Sequence, residues 1–407
     1  MKYDIGLEQA LSMMSDRLAP LAARNVPVAE AGGLVATEDV VAQVDCPSAS
    51  ASSRDGYAVI SADLERACED QPVKLKVCGV SVAGGDNPVA VEPGTAVKIM
   101  TGARIPPGAD AVIAVEYSRE QDGWVSCGRD TEPGRNIIEQ GYDVLKGKPV
   151  AWRGEILTPA RTGLLAAGGI SEVRVHPRPR VGIVATGDEL VSPGEPLRPG
   201  QLYASNLVTL FSWLRHFRMA AEVEVVGDRS EDLAAKIESL LEHADVLLTS
   251  GGAWKSERDL TVKVLKELGG EVVFHRLRMG PGKAVALVLL NGKTVFCLPG
   301  GPPSNEMAFL QIALPGLLWL AGKPPVPFEY RTAILTKTVG GQKDWTQFHY
   351  AAVEEREGQW FVSPLEKENR LQCQAKANAL IKVPEGIEQL KQNKQIKVQV
   401  LFGNSCI

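Results

Sequence analysis

The chain has 407 residues, 44% of them hydrophobic, 23% charged and only 6% aromatic, with 40 Gly and 26 Pro. That length exceeds what one hydrophobic core ordinarily organises, so a globular protein of several domains is expected. A net charge of −5 argues against a general nucleic-acid binder, and any anion has to be held by a local site.

The opening stretch "MKYDIGLEQALSMMSDRL" carries no signal-peptide hydrophobic run, and its Leu7, Leu11, Met14 and Leu18 recur at helical spacing. This helix is expected to pack with the segment after 142, because "GEILTPARTGLLAAGG" is too short to make a core alone. Residues 1–44 and 142–178 would then form one discontinuous domain. Residues 45–141, rich in Gly and Pro with short Val/Ile runs, predict a small β-domain with many turns. From 179 to 327 strand and helix alternate. Strands are predicted at 181–185, 222–226, 245–249, 285–290 and 294–298, and helices at 205–217, 231–242, 259–268 and 303–320. Such alternation implies an α/β/α domain with a mostly parallel sheet covered on both faces.

The longest apolar stretch, "FLQIALPGLLWLAG", is interrupted by Pro315 and falls short of the ~20 residues that span a bilayer. Beyond the Pro-rich stretch at 324–327, residues 328–407 alternate apolar and polar positions like a small antiparallel β-domain. The fold class expected is α/β multidomain. Seven scattered cysteines, with no CxxC pair and no zinc-type spacing, fit reduced thiols in a cytoplasmic protein without membrane or nucleic-acid partners.

In open α/β sheets, ligands collect beyond the carboxyl ends of strands. Four Gly-rich segments fall there: "ATGDEL" with Thr186, Gly187, Asp188 and Glu189; "LLTSGG" with Ser250, Gly251 and Gly252; "RMGPGKA" with Lys283; and "CLPGGPPSN" with Pro299, Pro302, Ser304 and Asn305. Exposed amides after a strand suit phosphate or an oxyanion, and a helix start favours an anion. Asp188, Glu189 and Asp259 are the carboxylates nearest these loops, and a hard cation needs such oxygens. Each signal alone is also met by a plain turn or, at Asp259, by a helix cap. "GPGK" lacks the spacing of a Walker loop. Together the four loops lead to a site for an anionic, phosphorylated ligand with a divalent cation.

At "SSRDGYAV", "VKIMTGARIPPGADAVI", "GRNI", "PRVGIVATGDEL", "GQLYASN", "LLTSGG", "MGPGK" and "LPGGPPS" the chain closely resembles the molybdopterin molybdenumtransferase family, which includes the C-terminal domain of gephyrin. The resemblance implies a homodimer whose active site lies between the α/β domain of one subunit and the Gly/Pro-rich β-domain of the other. It implies insertion of molybdate into adenylylated molybdopterin, with Mg²⁺ and release of AMP. By position it implies Asp55, Thr101, Asp143, Glu189 and Asp259 as catalytic residues, with Glu189 and Asp259 as metal ligands. Thr186, Gly187, Asp188, Ser250, Gly251, Gly252, Lys283, Pro299, Pro302 and Ser304 would bind the pterin cofactor precursor. A turn at Asp55 or Thr101, a surface carboxylate at Asp143 and stiffened loops at Pro299 and Pro302 are the plain alternatives.

The chain departs from the family pattern at Ile138, Ala253 to Ser256, Gly280, Ala284 and Gly301. Lys255, Arg258, Arg276 and Arg278 stand where replacement charge would come from. Two other functions stay open at this level. One is molybdopterin adenylylation, because that family shares the α/β domain, although the "RDGYA" and "MTGA" segments argue against it. The other is a binding-only scaffold or carrier, which the substituted loops motivate.

Overall fold

The computed structural model describes residues 2–85, 89–251, 260–365 and 369–402. The chain divides into two compact units, Ala23–Val175 and a second made of Met1–Ala22 with His176–Ile407.

The second unit is built on a seven-stranded sheet in the order Lys2–Ile5, Glu271–Leu277, Ala286–Leu290, Lys293–Leu298, Val246–Ser250, Val181–Thr186 and Ala221–Val226. Every neighbouring pair is parallel except the two made by Ala286–Leu290, so six strands run one way. Val181–Thr186 and Val246–Ser250 are buried at every position, as central strands covered on both faces require. Alternate residues serve different layers. Ile183 and Leu248 join a core with the helices Leu7–Arg17, Ser205–His216 and Pro302–Leu320, while Val184 and Leu247 join the core beneath Ser230–His243 and Leu260–Glu267.

The N-terminal helix therefore does not pack with the segment after 142. Leu7, Ala10, Met14 and Leu18 bury their stripe in the α/β core, and Lys2–Ile5 pairs in parallel with Glu271–Leu277. The approach is close because position 316 is Gly: a Cβ there would stand 2.9 Å from Met14 Sδ and 2.5 Å from the Phe296 ring. Trp319 Nε1 donates to the Leu18 carbonyl at 2.9 Å and holds the helix end. In the long helix, Phe309–Ala313 widens to a π-turn. Pro315 has no N–H to give the preceding turn, and its ring needs the extra space.

The C-terminal strands do not form a purely antiparallel sheet. Thr346–Arg356, Gln359–Pro364, Glu329–Leu335, Gln395–Val400 and Ala379–Val383 close into a barrel, since Ala379–Val383 pairs back onto Thr346–Arg356. Closure removes the open edges that an isolated small sheet would expose. It also brings Glu329–Leu335 and Gln359–Pro364 together in parallel. Met279–Gly280 adds to Thr346–Arg356 and links the barrel to the edge of the large sheet.

One buried carboxylate joins these layers. Glu306 accepts from Trp213 Nε1 at 2.8 Å, from the Tyr350 hydroxyl at 2.8 Å and from Gln374 Nε2 at 2.8 Å. Burial, and then the Glu306 charge, hold the Tyr350 phenol well above its ordinary pKa, so it remains a donor. Nearby, Gln311 Nε2 donates to Gln399 Oε1 at 2.9 Å across the same boundary.

Among the described residues, the unit Ala23–Val175 contains three hydrophobic clusters, the smallest formed by Ala58, Ile99, Ala103 and Val112. Val26, Leu34, Val150, Leu157, Leu165 and Val173 pack around Pro159–Ala167, drawing on residues from both sides of the intervening β-segment. That segment forms a six-stranded sheet, Ser118–Gln121, Trp124–Cys127, Val73–Ser81, Thr95–Ile99, Gly56–Val59 and Ala111–Ala114, over Tyr57, Leu64, Leu75 and Val125.

Glu306→Ala leaves the buried Trp213 Nε1 without an acceptor and leaves Tyr350 and Gln374 only their longer contacts, to Pro303 O at 3.4 Å and Pro302 O at 3.3 Å. It should lower the unfolding free energy by roughly 2 kcal/mol or more, measured by denaturant titration of the full chain. A loss under about 1 kcal/mol would contradict the joining role.

Candidate functional site

The carboxyl ends of the parallel strands gather the Gly-rich loops at one edge. A cavity of about 120 Å³ opens there, lined among others by Thr186, Glu189, Asn206, Ser250, Gly251 and Pro302. Thr186 ends its strand almost fully buried, and its Oγ1 has no partner among the described residues. Gly251 adopts φ +103°, and a Cβ on it would lie 2.7 Å from the Thr186 carbonyl. Only glycine lets the two strand ends approach this closely.

Ser250 is 2% exposed. Its Oγ accepts from Asn206 Nδ2 at 3.2 Å and from Asn305 Nδ2 at 3.0 Å. The same two amide nitrogens donate onward to the backbone, Asn206 to Gly300 O at 2.7 Å and Asn305 to Pro299 O at 2.8 Å. The Pro-rich loop is thereby tied to the end of Val246–Ser250. Asn206 was not singled out among the sequence candidates. Its signal was the close of "GQLYASN", which places an amide on the first turn of Ser205–His216.

The two acidic residues after Thr186 diverge. Glu189 lines the cavity and folds back over Gly187, where a Cβ would meet its carboxylate at 2.6 Å. Asp188 does not line it, and its Oδ1 accepts from the Asp228 N–H at 3.1 Å. Gly252 and Asp259 lie outside the described residues, as do Lys255 and Arg258. Among the described residues no group of three potential metal ligands comes together.

Lys283 is not part of this cavity. Its ammonium sits over the Trp345 ring, 4.7 Å from the centroid. Ser304 lines a separate cavity of about 450 Å³ with Gly280, Pro281, Gly301, Tyr350 and Arg370, between the helix Pro302–Ala308 and the barrel. Two departures from the family pattern, Gly280 and Gly301, therefore face that second space. Arg276 and Arg278 do not supply its missing charge. Arg276 pairs with Asp4 at 3.6 Å, and Arg278 donates to Asp344 O at 3.0 Å, to Asp4 O at 2.8 Å and to Glu385 at 3.2 Å. Arg276 ties the N-terminal strand to its neighbour in the large sheet, and Arg278 ties it to the barrel.

In the unit Ala23–Val175, Asp55 and Thr101 are brought together. Asp55 Oδ1 accepts from the Thr101 backbone N–H at 2.6 Å and from its hydroxyl at 2.8 Å. Asp143 is exposed, and its backbone N–H donates to Cys46 O at 3.0 Å.

Residues 5–169 match the family model described as "MoeA N-terminal region (domain I and II)", and residues 182–319 match the "Probable molybdopterin binding domain". The chain is 33% identical over 379 residues to Molybdopterin molybdenumtransferase 2 of Mycobacterium tuberculosis, covering 92% of this chain and 94% of that protein. This chain belongs to the molybdopterin molybdenumtransferase family. Its similarity to the Haemophilus influenzae molybdopterin molybdenumtransferase is 35% over 354 residues, covering 84% of this chain and 86% of that one. The crystal structure of the molybdopterin biosynthesis MoeA protein from Pyrococcus horikosii matches with a TM-score of 0.81 at 32% identity, over 98% of this chain and 100% of that one. Within this family of transferases of molybdenum cofactor biosynthesis, the cavity at Thr186 and Ser250 falls in the stretch matched by the molybdopterin-binding model. No helix among the described residues is long and apolar enough to cross a membrane.

The Thr101 backbone N–H, and then its hydroxyl, hold the Asp55 carboxyl below its ordinary pKa. The stabilisation is complete above the ordinary carboxylate value and is lost as the pH falls through the lowered one. Thr101→Val removes the hydroxyl bond and should shift the Asp55 titration upward, read from its carboxyl carbon by NMR. A titration that does not move would show that the backbone bond alone sets the value.

Proposed function

We propose that the chain inserts molybdate into adenylylated molybdopterin and releases AMP. The observation that carries this reading is the cavity at Thr186, Ser250 and Gly251, where buried hydroxyls meet a backbone turn at the carboxyl edge of a parallel sheet. Such an edge offers directed donors to phosphoryl oxygens, and family membership supplies the pterin. The residues' task is to bind and orient. Ser250 and Thr186 face the phosphate linkage, Gly251 lets the backbone come close, and the loop held through Pro299 and Gly300 closes one wall.

The residues present fit Mg²⁺ in the way that ion usually binds, with one or two carboxylates beside substrate phosphate. Glu189 offers a carboxylate at the cavity and Thr186 an unpartnered hydroxyl oxygen. When bound, the ion neutralises phosphate charge.

A homodimer is part of this proposal. The Asp55–Thr101 pair and the Ser250 cavity belong to different units of the chain, and each site would take one from each subunit. Asp55→Ala and Glu189→Gln variants should each release almost no AMP from adenylylated molybdopterin with molybdate and Mg²⁺. Mixed and allowed to exchange subunits, they should regain about a quarter of wild-type turnover, because a heterodimer carries one intact site. No recovery in a mixture shown to contain heterodimers would exclude the shared site. Full AMP release by both variants alone would exclude the assigned roles.

A further inference from the structure

We propose that Asn206 is a positioning residue that makes Ser250 an obligate hydrogen-bond donor to a phosphoryl oxygen of the ligand, an inference that rests on the phosphate reading of this cavity. A serine hydroxyl has two acceptor positions and one proton. Both acceptor positions of Ser250 Oγ are filled by amide N–H groups, from Asn206 at 3.2 Å and Asn305 at 3.0 Å.

The direction of these bonds follows from the chemistry on the far side of each amide. Asn206 Nδ2 also faces Gly300 O at 2.7 Å, and Asn305 Nδ2 faces Pro299 O at 2.8 Å. A backbone carbonyl can only accept, so turning either amide over would set oxygen against oxygen. Ser250 must therefore receive from both, and its own proton is left over.

Among the described residues nothing accepts that proton, and the hydroxyl belongs to a residue lining the cavity with the unpartnered Thr186 Oγ1. A buried donor without a partner is costly, and a ligand acceptor would relieve that cost. An unprotonated phosphoryl oxygen meets this requirement, while a group that can only donate does not. Asn206 contributes without touching the ligand, by deciding what Ser250 can offer.

The test is a double-mutant cycle on the full-length protein, with AMP binding read by calorimetry and pyrophosphate as a second probe. Ser250→Ala should weaken AMP binding by about ten- to a hundred-fold. Asn206→Asp keeps the shape but turns a donor into an acceptor, which captures the Ser250 proton. Its added charge acts whether or not Ser250 is present, so the cycle separates charge from positioning. The loss caused by Asn206→Asp should be about ten-fold smaller in the Ser250→Ala background than in wild type. Asn206→Ala, which removes the donor without adding charge, serves the same cycle if Asn206→Asp does not fold.

Equal losses in both backgrounds would overturn the positioning role, as would AMP binding that no variant changes. A wild-type chain that binds neither AMP nor pyrophosphate would overturn the phosphate reading and the inference together.

Discussion

Parallel strands cannot be joined by a tight turn, so the chain must cross a face of the sheet before each parallel return. Most of what this protein can do follows from that constraint. Each crossing begins at the same edge, and the loops after Val181–Thr186, Val246–Ser250 and Lys293–Leu298 are gathered there although they lie far apart in sequence. The antiparallel strand Ala286–Leu290 obeys the same geometry from the other direction. It enters from that edge, which brings the 278–284 loop to it as well. Chemistry is concentrated at the edge because the loops arrive there with small residues and with hydroxyl and amide side chains.

The edge is held by polar contacts that the apolar core alone would not specify. Two asparagines from separate helices grip one serine and two consecutive carbonyls, fixing loop against strand. Next to Asn305 on the same helix, Glu306 is gripped by donors from another helix, from the barrel and from Gln374. Each of these bonds holds a buried donor to an acceptor, and an alternative packing would strand both, so the contacts favour one arrangement. The barrel is thus docked against the helix that also supplies Asn305, so movement of one layer would be felt at the other.

The five strands and four helices expected between 181 and 320 lie within a residue or two of those found, because apolar runs or stripes mark them and Gly or Pro often marks their ends. What the N-terminal helix packs against was not legible. Leu7, Met14 and Leu18 show that a stripe will be buried, but periodicity is silent about its partner, which is set by Gly316 and Phe296 some three hundred residues away. Lys2–Ile5 was missed because three of its four residues are exposed. Glu271–Leu277 was passed over too, and barrel closure is a non-local pairing with no local signal. At the site, Thr186, Ser250 and Gly251 are indicated by their place at strand ends, Glu189 as a carboxylate beside them and Pro302 by the family resemblance alone, and the five share one cavity. At Lys283, Arg276 and Arg278 the sequence shows the charge but not whether it is already engaged. Trp345, Asp4 and Glu385 engage those groups from distant parts of the chain.

The most direct measurement is a crystal structure of the protein grown with AMP. The phosphate should lie within hydrogen-bond distance of Ser250 Oγ, beside Thr186, with the Asn206 and Asn305 amides oriented as they are here. A phosphate bound instead in the cavity of Ser304, Tyr350 and Arg370, with Ser250 untouched, would contradict the assignment of the ligand to the carboxyl edge of the sheet.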